Sequence, residues 1–176
     1  MGLFGKMFEK KTCALCGGDI GLFGNRKLED GNMCKDCAAL LSPWFSDRKN
    51  STVAEIQEQL TYREENRAKL ETFHTTRSLG RNNKVLIDEE QSLFMVSRTK
   101  NIKDENPDIL AFSQVTGCDL DIEEEKNEIT YEDKDGNEVS YNPNRFVYDY
   151  NFYIIIRVND PYFDEIKFLL ISSSIN

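Results

Sequence analysis

Two Cys-x-x-Cys pairs, Cys13 with Cys16 and Cys34 with Cys37, are the pattern in this chain whose residue types and spacing specify chemistry. Thiolates can ligate a metal ion, exchange with disulfides, or pair into disulfides. The 17 residues between the pairs fall within the range of a four-thiolate zinc site. A two-residue gap lets one tight turn aim two sulfurs at the same point while its amides donate to them. A redox centre needs a single pair near a βαβ pattern, which this sequence lacks. A disulfide framework needs an oxidising compartment. The N-terminus has no secretory signal, and no apolar run reaches the roughly 20 residues that span a bilayer, so a cytoplasmic location with reduced thiols is expected. The expectation is therefore one zinc ion, and a structural one, because four thiolates leave no coordination position open for water.

The segments around the cysteines must bring them together. Gly17 and Gly18 can supply the first turn. Asp30-Gly31 between short flanks signals a hairpin that returns the second pair to the first. "CKDCAALL" holds good helix formers ahead of Pro43, so Cys34 and Cys37 should open a helix. Knuckle, hairpin and helix in that order make a treble-clef arrangement. Arg26, Lys27 and Lys35 are placed in sequence to offset the local charge of about −2 that four thiolates leave on a divalent zinc.

The stretches "MGLFGKMF", "CALCGGDIGLFGNRKLEDGNMCKDC", "LSPWFSDRKNSTVAEIQEQLTYREEN" and "FHTTRSLG" together resemble a bacterial family of unknown function with a zinc-ribbon-like finger, over residues 1–80. The segments "FSQVTGCDLDI", "VSYNP" and "NDPYFDEIKF" are similar to the β-rich half that accompanies this finger in many members. The resemblance implies zinc binding and a two-part chain, with no activity attached.

Three parts are expected: residues 1–50 as lead-in and finger, 51–80 as a connecting amphipathic helix, and 81–176 as an acidic antiparallel β domain. The fold class is thus α+β. Residues 1–11 mix Leu3, Phe4, Met7 and Phe8 with three lysines, a pattern that packs on the finger or touches a membrane surface or partner. Lys6 stands where a myristoylation motif needs Ser or Thr. Thr52 and Glu55 form a capping box, followed by Val53, Ile56, Leu60, Leu70 and Phe73 near helical spacing, with Gly80 as the outer limit. Arg63 and Arg67 interrupt that stripe and imply a half-exposed middle or stems laid on aromatic surface. From residue 84 the period changes to two, and successive hairpins, one around Asp135-Gly136, predict a mostly antiparallel sheet with "YIIIRV" central and the acidic runs at exposed ends. Such a series resembles bacterial pleckstrin-homology-like split barrels at the level of fold.

Other reactive residues have plainer readings. His74, the single histidine, is expected at a helix end or on the surface. Cys118 has no paired cysteine and is expected as a small buried side chain on a strand. "DKDGNE" lacks a ligand where a calcium loop would begin, since Tyr131 falls there, and is expected as a hairpin turn. No phosphate loop or Ser-His-Asp set is present, so an enzyme is not expected.

Charge bears on partners. Residues 1–50 hold 8 Lys or Arg against 6 Asp or Glu, and residues 81–176 hold 10 against 20. An acidic half of that size opposes phosphate binding, so the expected partner is another protein rather than nucleic acid. Trp44 and Phe45, with Leu22 and Phe23, are the candidate anchors for it. The alternative is a nucleic-acid-associated finger restrained by the acidic β domain.

Overall fold

A computed structural model gives the architecture and describes residues 11–175. The apolar-basic lead-in, apart from Lys11, lies outside the described residues.

The finger is made of short pieces that cannot be stable alone. β1 (Lys11–Thr12) pairs antiparallel with β2 (Asp19–Ile20), and β3 (Arg26–Lys27) with β4 (Asn32–Met33). Helix α1 (Lys35–Ala38) follows at once, with Cys34 as its N-cap. Leu28, Met33, Cys13, Cys37 and Leu41 are buried together with Ile56, which is donated by the next helix. That apolar cluster is small, so the finger depends on its neighbour for a core.

The neighbour is α2 (Val53–Leu70), and its start follows the expected chemistry. Thr52 Oγ1 accepts from the Glu55 amide, and the Glu55 carboxylate accepts from the Thr52 amide, closing a capping box. The hairpin turn at Asp30-Gly31 docks on the same helix end. Asp30 Oδ1 accepts from the Val53 amide at 2.8 Å, where the helix dipole favours a negative charge. A Cβ added at Gly31 would meet the Val53 side chain at 2.8 Å, so the approach requires glycine.

The middle of α2 departs from the expected half-exposed stripe. Gln59, Arg63 and Asn66 are buried, and Arg63 is only 4% exposed. Its Nη1 donates to Asp108 Oδ1 at 2.6 Å, its Nε to the Leu40 carbonyl at 3.2 Å, and its Nη2 to the Asn106 carbonyl. Asp108 also accepts from Ser42 Oγ at 2.7 Å. Burial raises the Asp108 carboxyl above its ordinary value, while Arg63 and Ser42 pull against that shift. One buried ion pair thus joins the exit of the finger, the long helix and the loop after α3 (Ile102–Glu105). The helix stops at Leu70, well inside the expected outer limit at Gly80, which instead ends the next strand at φ +94°, where a Cβ would run into the Asn83 carbonyl.

Two antiparallel sheets complete the chain. The first has the order β5 (Arg77–Gly80), β6 (Lys84–Asp88), β7 (Leu93–Ser97), β8 (Leu110–Ala111). Its residues alternate between two buried faces, as a strand period of two requires. Leu86 and Met95 face Leu70 and Phe73 at the end of α2, while Phe94 and Val96 face the second sheet. The second sheet has the order β11 (Glu165–Ile175), β10 (Glu138–Val158), β9 (Val115–Glu132), so "YIIIRV" is on the central strand as expected. Its lower end, at Ile156, Val158, Ile166 and Phe168, packs on Phe94, Val96 and Leu110. The rest of β9 and β10 extends beyond that contact.

Two further expectations are corrected in this sheet. The acidic run "DIEEEKNE" is not a strand end but lies within β9, where continuous pairing with β10 outweighs the low strand preference of glutamate. Cys118 lies on a strand but is exposed, because β9 is an edge strand on a sheet covered only at one end. The loop at 133–137 is the expected hairpin turn: Asp133 Oδ1 accepts from the Asp135 and Asn137 amides at 2.9 Å, and Gly136 takes φ +82°.

Candidate metal centre

The turn of the first cysteine pair is closed by its own backbone. The Cys13 amide donates to the Gly18 carbonyl and the Gly17 amide to the Cys13 carbonyl, both at 2.8 Å. Gly17 sits at φ +72°, a conformation that glycine adopts without steric cost. The Ala14 amide donates to the Asn32 carbonyl at 2.8 Å, which pins this turn to the hairpin carrying the second pair. Cys34 caps α1 and Cys37 lies in its single turn, so both sulfurs face the same point.

The outcome is a compact set of four sulfurs, all within 4.8 Å of one another, able to hold a metal ion. Cys13 Sγ lies 3.8 Å from Cys37 Sγ, and Cys16 Sγ 3.9 Å from Cys34 Sγ. Disulfide sulfurs would sit at about 2.05 Å. Ligands placed tetrahedrally at about 2.3 Å from a zinc ion would instead be about 3.8 Å apart. All four thiols are free, with Cys13 and Cys37 buried, Cys34 half-buried and Cys16 exposed.

The electrostatics favour thiolate formation at one position in particular. Burial opposes ionisation of Cys13, yet amide donation from Cys16, Cys34 and Leu15 outweighs it and lowers the thiol to about 6. The Cys34 amide reaches Cys13 Sγ at 3.3 Å, and the Cys37 amide reaches Cys34 Sγ at 3.3 Å. Burial and then the crowd of neighbouring sulfurs push Cys37 the other way, so the metal-free cluster resists complete ionisation. A divalent cation at the centre removes that obstacle, since a coordinated thiol is deprotonated outright. The Arg26 guanidinium donates to the Phe23 and Asn25 carbonyls at 3.3 Å.

The candidate anchor residues divide into two environments. Leu22 and Phe23, at 76% and 89% exposure, sit at the tip of the 21–24 turn. They rim a shallow surface cavity together with Cys34 and Lys35. Trp44 and Phe45 are half-buried in the seam between finger and sheets. Trp44 packs on the core around Phe94 and Phe163, with the Arg98 guanidinium 4.7 Å above its ring. Phe45 packs on the finger and meets Tyr162 edge-on at 6.3 Å. His74 is exposed just past α2, as expected, and its amide donates to Asp88.

The buried Arg63, Asp108 and Ser42 set was missed from the sequence. Its signal was the arginine at a stripe position of α2, but the partner that explains it lies 45 residues away.

No helix among the described residues is long and apolar enough to cross a membrane. No curated protein and no solved structure matches the chain. Residues 12–59, which run from β1 into α2 and contain all four cysteines, match the family model of a domain of unknown function (DUF4428).

Proposed function

We propose that this chain is a non-enzymatic, cytoplasmic protein-interaction module whose finger is stapled by one structural zinc ion at Cys13, Cys16, Cys34 and Cys37. The observation that carries this reading is the pair of sulfur separations of 3.8 and 3.9 Å, close to the edge of a zinc–thiolate tetrahedron. The order knuckle, hairpin, helix supports a treble-clef finger. Four antiparallel strands followed by three, packed face to face at one end, support a pleckstrin-homology-like β domain. A four-thiolate sphere has no open position for a substrate or water, and that favours a structural over a catalytic ion. Leu22 and Phe23 are exposed and apolar on the finger, which suits an anchor for another protein.

Elemental analysis of the purified chain should find about one zinc per protein. A metal-free chain whose finger gives a dispersed, folded amide spectrum would overturn the assignment. The interaction role is tested separately with Phe23→Ser, which removes an exposed ring and no core contact. Zinc content and thermal stability should be unchanged while a co-purifying protein is lost. Recovery of every partner by the variant would refute the anchor.

A further inference from the structure

The three-stranded sheet is far longer than the body that covers it. β9 has 18 residues, about 60 Å of strand, and β10 has 21. No residue of β9 is buried, and none of β10 before Ile156. Ile156 and Val158 lie under the four-stranded sheet. Ile154 still packs partly against that core, and beyond it the same face continues upward through the half-buried Phe152, Tyr150, Tyr148 and Phe146 on β10, because alternate residues share a face. The register sets Leu120 beside Ile154, Ile122 beside Phe152, and Ile171 of β11 on the other side of Phe152. Leu120 and Ile122 are 56% and 51% exposed. A three-stranded sheet gains independent stability from a packed apolar face, and contiguous exposed apolar surface on this scale marks an interaction site.

Charge distinguishes this face from its reverse. On the reverse face Asp119 pairs with Arg157, and Asp121 and Glu123 with Lys167, alongside Glu125 and Asp149. The apolar face carries Glu124, Lys126 and Glu128, with the Lys126 ammonium 3.8 Å above the Phe146 ring. A row of negative, positive, negative is complementary to an inverted copy of itself when offset by one residue pair.

We propose that a second copy of this chain covers the face, two ribbons packing sheet on sheet about a two-fold axis. In each copy the four-stranded sheet covers one end of the face, so two inverted overhangs can cover each other and close the assembly. Packed sheets lie about 10 Å apart, and both acidic reverse faces then point away from the interface, farther apart than the screening length of about 8 Å at physiological salt. Pairing through the β9 edge would instead set rows of carboxylates across from one another, the arrangement that charged edge strands prevent. This proposal is independent of the finger and its metal.

Sedimentation velocity and light scattering on the full chain, from about 1 to 100 µM at about 150 mM salt, test it. The expected mass at the upper end is twice the chain's 20.4 kDa. Ile122→Lys and Lys126→Glu should each weaken the dimer by about tenfold or more, because both disturb the apolar face or its charge row. Neither side chain is in the buried core, so the unfolding midpoint measured at low protein concentration should hold within about 2 °C. Glu125→Lys on the reverse face should leave the dimer constant unchanged. A monomer at the highest concentration overturns the proposal. So does a dimer indifferent to both face variants, and so does one strengthened by Glu125→Lys, which would indicate edge pairing. A monomer that instead takes up a synthetic peptide of alternating lysine and leucine would assign the face to a basic foreign strand.

Discussion

Asp88 illustrates how one side chain can hold a connection together here. It is fully buried, and Oδ2 accepts from the His74 amide at 2.8 Å while Oδ1 accepts from the Gln91 amide at 3.0 Å. The His74 amide, then the Gln91 amide, hold its carboxyl below the usual carboxylate range. A folded value below the unfolded one, about 3.9, means that the contribution to stability is present above that pH and is lost as pH falls through the folded value. The urea midpoint of the native chain should therefore exceed that of Asp88→Asn near neutral pH, and the gap should close as the pH drops below about 4. A gap that stayed constant across that range would contradict the assignment. At this scale the sequence was informative where chemistry is local. Four cysteines at short spacings announce a shared centre, and Asp30-Gly31 announces a turn. Asp88 and Asp108 look like any surface acid, because the His74 amide and the Arg63 guanidinium that complete their explanation come from other segments.

At the scale of elements, α2 is the piece that organises the rest. Its capping box was readable as Thr52 and Glu55, which placed its start, whereas its end at Leu70 falls ten residues short of the expected outer limit at Gly80. Its buried polar face was not, since an arginine in an apolar stripe gives no hint whether it reaches water or a carboxylate. Arg63→Ala should cost about 3–5 kcal/mol in chemical denaturation, because it leaves Asp108 buried without its partner. The double variant Arg63→Met with Asp108→Leu should recover most of that loss, as buried ion pairs replaced by apolar side chains often do. A single variant that costs under about 1 kcal/mol would show that water reaches the pair. The strands beyond residue 84 were legible through their period of two. The length of β9 was not, because its glutamates argue for a loop and only pairing along β10 holds them in a strand.

Over the whole molecule, charge sets the terms of association. The formal net charge is −9, and four thiolates around a divalent ion would take it to −11. Duplex DNA should not bind appreciably at about 150 mM salt, and an anisotropy titration showing micromolar affinity that falls steeply with salt would contradict this. The α+β class and the antiparallel character of the sheets followed from pattern. Which sheet covers which did not, since that depends on contacts between strands far apart in sequence. The seam at Trp44, Phe45 and Arg63 has one more consequence. The family match ends at Gln59, and Arg63 lies about one helical turn further on. The matched stretch keeps all four cysteines and the Asp30 clamp on Val53, so it holds what a finger needs to take up metal. It also holds Ser42, Trp44 and Phe45 of the seam, but not Arg63, the charge that meets Asp108 there. The cysteine cluster and the buried cation are thus encoded in different segments: a finger cut after residue 59 would carry all four sulfurs and leave Asp108 without its guanidinium.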